Sequence, residues 1–413
     1  MYSTITRRSV IRVAGVSTGL GAFGAGAVGS SGTPFAQETA QTSGPTGIEP
    51  NTIQRRGDGF RGCDPGRVSR GFTLFTPDIQ TNRTVYLINM LGHVVHSWEM
   101  PYPPGRYGYL TDHGRLFYNG QIPSSSHAGQ APYAGGVALE VDWAGRVLWE
   151  VRHPDHNHDG RRLRNGNVIL VCARPLPDEI ARQVRGGRPG SEYDNGKMDA
   201  PYLVEMTTDG KIVWEWRSWE HLDPVTDGIT AVQDDRDVWT VANAVWELAD
   251  GNLLVSFRAI STVVMIDRRT GGIYWKLGAP PLAGQHAPYI LANGNLLLFD
   301  NGPHRLDATF PFSRVLEIDV ATRRIVWKYQ DNPVSNFFSP RISNAQRLPN
   351  GNTLINEGWF GRLFEVTPEG ETVWEYVNPH FGPVANSEHA QVNWVFRAYR
   401  YTEAEIQRAK AAI

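Results

Sequence analysis

Three histidines fall within the run His153-Pro154-Asp155-His156-Asn157-His158-Asp159, and another, His286, follows Gly284-Gln285. Imidazole titrates near neutrality, so it serves as acid, base or nucleophile, and it also ligates zinc and other transition metals. Arg305, just beyond Asn301-Gly302, offers a fixed cation toward the same region; Arg258 and Arg341 offer others. Guanidinium forks suit the oxygens of an anionic group. Two chemistries fit. In one, a histidine is nucleophile or acid/base while Arg and Asn hold an anion. In the other, His156, His158 and His286 bind a metal. The His-x-His spacing suits one face of a strand, but it names no carboxylate partner.

Repetition supplies the elements that would gather these residues. One unit is plain from 343 to 377. It reads Ala345-Gln346-Arg347-Leu348, the turn Asn350-Gly351-Asn352, Thr353-Leu354-Ile355-Asn356, then Gly361 to Val366, the turn Pro368-Glu369-Gly370, and Thr372 to Tyr376. Short runs of branched and aromatic residues between Asn-Gly or Glu-Gly turns read as four strands joined by hairpins. The fourth strand carries a Trp, and copies stand at Trp98, Trp149, Trp214, Trp275, Trp327 and Trp374. Their separations of roughly 45–65 residues approximate a propeller blade. The first-hairpin turn recurs at His113-Gly114, Asn165-Gly166-Asn167, Asp250-Gly251-Asn252, Asn293-Gly294-Asn295 and Asn350-Gly351-Asn352.

Six Trp strands but five internal first hairpins mean that the first blade, with strands at Phe72–Thr76, Thr84–Asn89 and Val94–Trp98, lacks its inner strand. The region Gln391–Arg400 can supply it. The expected fold is all-β: a six-bladed propeller of four-stranded antiparallel blades, its ring closed by N- and C-terminal strands, which hides the sheet edges. The Trp stripe reads as core. Long insertions at 173–200 and 217–238 should lie over one face.

In a propeller the first strand of each blade is innermost, so residues just before it gather at one mouth of the central channel. Counting back seven from the residue that opens each first-hairpin turn gives Arg106, His158, Asn243, His286 and Ser343. A core slot would be aliphatic. Polar groups crowded on an axis need partners or a ligand. This sets His286, His158, Arg305 and Asn243 as candidate catalytic residues. His156, Arg106, Asn301, Arg258, Ser343 and Arg341 are candidate substrate contacts. No cofactor is required; a transition metal, zinc or calcium is the alternative. Asp234, Asp235 and Asp237 read as a solvated acidic loop, with calcium as the other option.

The bulk numbers bound the partners. Lys plus Arg number 40 against 42 Asp plus Glu, a formal charge of −2. That argues against a nucleic-acid coat, and the basic clusters near Arg161 and Arg182 lack interleaved aromatics. Two cysteines, Cys63 and Cys172, exclude a disulfide scaffold; they form one bridge or remain two thiols.

The start of the chain reads as an address. Thr6-Arg7-Arg8-Ser9 precedes a weakly apolar, glycine-rich stretch, the pattern of a twin-arginine export signal. Residues 1–36 are the expected signal peptide and 37–58 a disordered linker. Residues 59–403 form the propeller, and 404–413 a C-terminal tail. The twin-arginine translocon is the expected partner during export, and the mature protein is expected in the periplasm or secreted. No later segment is apolar enough to insert stably in a membrane.

The repeat from Asn344 to Ile355, with Gly361 to Val366 and Val373-Trp374-Glu375-Tyr376, resembles the bacterial arylsulfotransferase family. So do Val85-Tyr86-Leu87-Ile88 and Gln285-His286 leading to Phe299-Asp300-Asn301-Gly302. The likeness covers most of residues 70–400. It implies a six-bladed propeller with its site at the channel. It also implies ping-pong transfer of a sulfuryl group between phenols through a sulfated histidine, with a phenolic or sulfated small molecule as substrate and no nucleotide donor. His286 matches one family active-site histidine and Arg305 the family arginine. Val241 stands where the family usually carries His, and Phe338–Ala345 holds none, so either His158 or His389 substitutes or the chemistry differs. A metal-dependent propeller enzyme (lyase, hydratase or oxidoreductase) and a non-catalytic binding propeller are the alternatives. On the catalytic reading, His286→Ala should abolish activity with thermal stability almost unchanged.

Overall fold

The computed structural model describes residues 57–124, 127, 135–194, 196–383 and 390–412, the side chain of His158 excepted. The twin-arginine segment, nearly all of the linker and His389 lie outside the described residues. Six antiparallel sheets of four strands or more form a β-propeller. From blade 2 to blade 6 the inner strands are Pro104–Leu110, His156–Arg162, Ala242–Glu247, His286–Ile290 and Asn344–Arg347. In blade 1 the inner strand is Val395–Tyr401, paired to Phe72–Pro77, so the C-terminus closes the ring. The N-terminus also contributes. Gly59–Cys63 pairs with Thr372–Val377 and makes blade 6 five-stranded.

The hairpin turns are alike because they share one device. Gly114, Gly166, Gly251, Gly294 and Gly351 each donate their N–H three residues back and adopt φ between 79° and 90°. That left-handed conformation favours glycine. The repeated Trp residues are staples as well as core. The indole N–H of Trp98, Trp214, Trp275, Trp327 and Trp374 donates to a backbone carbonyl of the next blade, at 2.8–3.1 Å. Trp149 donates to Glu140 of its own blade instead. Trp98 and Trp374 are buried, whereas Trp149, Trp214 and Trp327 are half-buried. A shared hydrogen bond, more than shared burial, therefore explains the repeat.

The two insertions fold against each other. Gly186 bridges Ile229, Asp199 bridges Val238, and Arg236 donates to the carbonyls of Val184 and Gly186. The second insertion also reaches the loop between the second and third strands of blade 4, where Thr230 contacts Ala259 and Ser261, and Thr230 contacts His304 of the corresponding blade 5 loop as well. That loop lies on the face where the inner strands begin. Both cysteines are free; Cys172 is buried, with its Sγ 3.6 Å from His153 Nδ1.

Residues 403–411 form a helix with a capping box between Thr402 and Glu405. Ile406 and Ala409 are buried with Leu110, Leu116 and Trp98. A Cβ on Gly114 would lie 2.6 Å from Ala409 Cα, so the helix sits hard on the first hairpin of blade 2. Ile406→Ala should cost about 2–4 kcal/mol. Chemical denaturation measures it; a loss no larger than that of an exposed alanine substitution would mean that the helix is not docked.

Candidate active site

The slot found by counting is real in the backbone. The inner strands end at Leu110, Arg162, Glu247, Ile290, Arg347 and Tyr401. Four residues before each end stand Arg106, His158, Asn243, His286, Ser343 and, in blade 1, Arg397. Near the slot the strand register slips in five blades. In blade 6, Ser343 directly precedes a regular strand, with φ 89°. Such bulges turn a side chain away from the ladder. The pattern explains why a polar residue recurs there.

Hydrogen bonds join these positions around the axis. Arg397 Nη2 donates to the Asn243 carbonyl (3.0 Å), and Asn243 Nδ2 to the Gln285 carbonyl (2.8 Å). Ile342 N–H donates to His286 Nε2 (3.1 Å), and Ser343 N–H to the Phe396 carbonyl (3.2 Å). Arg397 also forks onto Asp159 at 3.2 and 3.1 Å and donates to Tyr107. One network thus touches all six blades. Sequence counting missed Arg397 because its hairpin partner lies at the other end of the chain.

The tautomer of His286 follows from its neighbours. Asn301 Nδ2 donates to the carbonyls of Ser339 (2.8 Å) and Ile342 (2.9 Å), which leaves Oδ1 as acceptor. His286 Nδ1–H donates to that Oδ1 (2.7 Å) and to the Gly284 carbonyl (3.1 Å). Nε2 therefore carries the lone pair. Burial, then Arg258 and Arg397, pushes His286 down to about 3. The imidazole is neutral throughout the physiological range.

The other candidates are dispersed. Arg106 donates to Asp78 at 3.1 Å and keeps a buried Nε without a partner; burial pushes Asp78 up despite that cation. Asn243 is fully buried, and its Oδ1 has no partner. Ser343 Oγ bonds Ser339 Oγ (2.9 Å). Arg258 pairs with Asp234 at 3.0 Å and lies close enough to act on His286 electrostatically. Arg341 is exposed.

Arg305 departs from the expectation of a cation offered to a ligand. Its guanidinium is held by Asp300 (3.0 Å) and by the Phe312 carbonyl, with Arg314 sharing the same carboxylate. A fork already satisfied in a buried cluster is a structural cation. His156 Nδ1 accepts from Gly136 N–H in blade 2, and its buried Nε2 has no partner. His156 and His286 are thus tied into different neighbourhoods, and the side chain of His158 is outside the description. Among the described residues no group of three or more His, Cys, Asp or Glu is placed to hold a metal ion. The acidic loop does not converge either. Asp234 pairs with Arg258, Asp235 with Arg188, and Asp237 with His127.

Two buried neutral histidines set an acid dependence. Burial, then His153, pushes His156 down to about 4, and His286 stands near 3, against an ordinary 6.5. Between those values and 6.5 the unfolded chain binds more protons than the folded one. Stability is therefore full above 6.5 and declines as pH falls toward 4. Each histidine should remove on the order of 2–3 kcal/mol between pH 7 and 4.5. His156→Asn should flatten the urea-measured pH slope by about that amount; an unchanged slope would show that His156 is solvated.

Among solved structures the chain is similar to a protein of unknown function from Bacteroides caccae, at 14% identity over 80% of this chain and 98% of that one, with a TM-score of 0.49. It is also similar to streptogramin B lyase (13% identity, 78% and 82% covered, TM-score 0.43) and to virginiamycin B lyase from Staphylococcus aureus (12%, 78% and 85%, 0.39). A search of curated proteins finds no match. The family model for arylsulfotransferase (ASST) matches residues 131–379, which hold blades 3 to 6 and with them Asn243, His286, Asn301 and Ser343. On that match the chain belongs to the arylsulfotransferase family.

Proposed function

We propose that this propeller transfers a sulfuryl group from an aryl sulfate to a phenol at the channel mouth, with His286 as nucleophile. The observation that carries this reading is the fixed tautomer: Asn301 holds Nδ1–H, and Nε2 bears the lone pair on a neutral ring. In the first half-reaction Nε2 attacks sulfur in line with the S–O(aryl) bond. The N–S bond forms, the S–O bond breaks, and the electron pair leaves with the phenolate. The positive charge that develops on the ring is stabilised through Nδ1–H by Asn301 Oδ1 and the Gly284 carbonyl. In the second half an acceptor phenol oxygen attacks sulfur, its proton goes to water, and the lone pair returns to Nε2.

Ile342 N–H occupies Nε2 in the resting ring. Ile342 and Ser343 both have positive φ, 55° and 89°, which for non-glycine residues is strained backbone. Release of this segment would free Nε2 and leave the N–H beside the sulfuryl oxygens. Val241, which stands where the family usually carries His, is buried core at φ 45°. The reaction then rests on one imidazole, with Arg106 a partly exposed cation at the mouth.

The test is release of 4-nitrophenolate from 4-nitrophenyl sulfate, dependent on added phenol and without any nucleotide. Folded protein that transfers nothing to a panel of phenols would end the reading. A non-catalytic binding propeller would then be favoured, because His286 is 3% exposed and both its ring nitrogens are already bonded.

A further inference from the structure

An opening lies on the hairpin side of the slot ring. Its walls begin one residue past the slots of blades 4, 5 and 6, at Ala244, Ala287 and Asn344, and run toward the hairpin turns. The cavity measures about 170 Å³. An apolar cavity of about 150 Å³ accommodates a benzene ring. Trp246, Tyr289 and Tyr399 supply aromatic walls.

The charge on this wall is not balanced. Arg161 is 8% exposed. Its guanidinium lies over the rings of Tyr109 (4.7 Å) and Trp246 (4.1 Å) and donates to Tyr399 Oη (2.8 Å). Among the described residues it has no carboxylate within ion-pair distance, and its buried Nε has no partner. The nearby Asp159 is already paired with Arg397, and Arg347 with Glu317. Two buried guanidiniums therefore share one carboxylate, leaving one uncompensated positive charge beside an aromatic cavity. Burying a charge without a counterion is costly, and an anion in the cavity removes that cost.

We propose that this hairpin-side mouth binds a small aromatic anion, its ring packed against the joined wall of Trp246 and Tyr289, whose centroids are 5.5 Å apart, and its anionic group on Arg161. The site is separate from the His286 mouth and does not depend on the transfer reaction. Benzenesulfonate is a suitable probe because its C–S bond is not a sulfate ester and cannot enter sulfuryl transfer. Titration calorimetry on the full chain should show one benzenesulfonate bound, with affinity retained in His286→Ala. Arg161→Gln should weaken binding by about tenfold or more, and Arg161→Lys by less, since it keeps the charge and loses the stacked plane. Absence of binding by wild type would overturn the proposal, as would unchanged affinity in folded Arg161→Gln. Co-crystals of wild type with 4-bromobenzenesulfonate decide the matter even if Arg161→Gln does not fold. Bromine in the cavity against Trp246 and Tyr289 supports the site; bromine only beside His286, or nowhere in the channel, refutes it. A failed transfer assay would leave this result standing.

Discussion

Replacing His286 with alanine should lower kcat/KM for sulfuryl transfer by roughly 10³-fold or more, because no other described group is placed to form the covalent intermediate. The loss should appear in kcat, since in the proposed reaction the imidazole meets the reacting sulfur and not the remote part of the substrate. Stability should fall too. The substitution strands Asn301 Oδ1 and Ile342 N–H in a buried site, at a cost of about 1–3 kcal/mol. This replaces the expectation, drawn from sequence, of an almost unchanged melting temperature; that expectation assumed a histidine open to the channel, and the ring is buried. Asn301→Ala separates chemistry from packing. It keeps the imidazole but frees its tautomer, so kcat should fall by about ten- to a hundredfold with KM little changed. The His286 ionisation near 3 also means that no inflection near pH 6.5 should come from this residue. Activity in His286→Ala within tenfold of wild type would remove the histidine from the mechanism.

The ring and its slots were legible because a repeat fixes positions without any knowledge of contacts. Asn-Gly turns and the Trp of the fourth strand mark each blade, and a constant offset from the turn finds Arg106, His158, Asn243, His286 and Ser343. The same offset fails in blade 1, where the inner strand Val395–Tyr401 ends in Thr402 and a helix, not a hairpin turn. Counting from the strand's end would have found Arg397. Side-chain direction was not legible. Arg305 follows Asn301 closely in sequence, yet its fork turns to Asp300 and the Phe312 carbonyl, because a buried carboxylate on the adjoining strand outcompetes a distant ligand. The partners of the acidic loop were not legible for the same reason. Asp234 is buried on Arg258, while Asp235 meets Arg188 and Asp237 meets His127, each on a different element, and nothing in a one-dimensional spacing says which. The indole staples share a cause with these cases: the acceptor is a carbonyl of the next blade, about one repeat away.

Removing Asp159 should destabilise the protein more than removing Arg397, although the two form one ion pair. Asp159 is completely buried and accepts from Gly160 N–H (3.0 Å), Val245 N–H (2.8 Å), Tyr107 and both Arg397 nitrogens. Asp159→Ala leaves Arg397 and Arg161 buried together without a counterion and orphans the Val245 N–H. The local charge rises from one to two positive. Breaking a buried pair in this way costs about 3–5 kcal/mol. Arg397→Met leaves the carboxylate with its two backbone N–H donors, the Tyr107 hydroxyl and the field of Arg161, so the local charge falls to zero. Its cost should be smaller, about 1–3 kcal/mol, mainly the lost bonds to Asn243 and Asp159. The double variant Asp159→Leu with Arg397→Met should lose less than the sum of the single losses, because neither buried charge is then left facing an empty partner. Urea unfolding of the three variants at pH 7 measures all of this. If Arg397→Met proved the more damaging, the uncompensated charge assigned to Arg161 would be wrong. The cavity beside it would then have no electrostatic reason to take an anion.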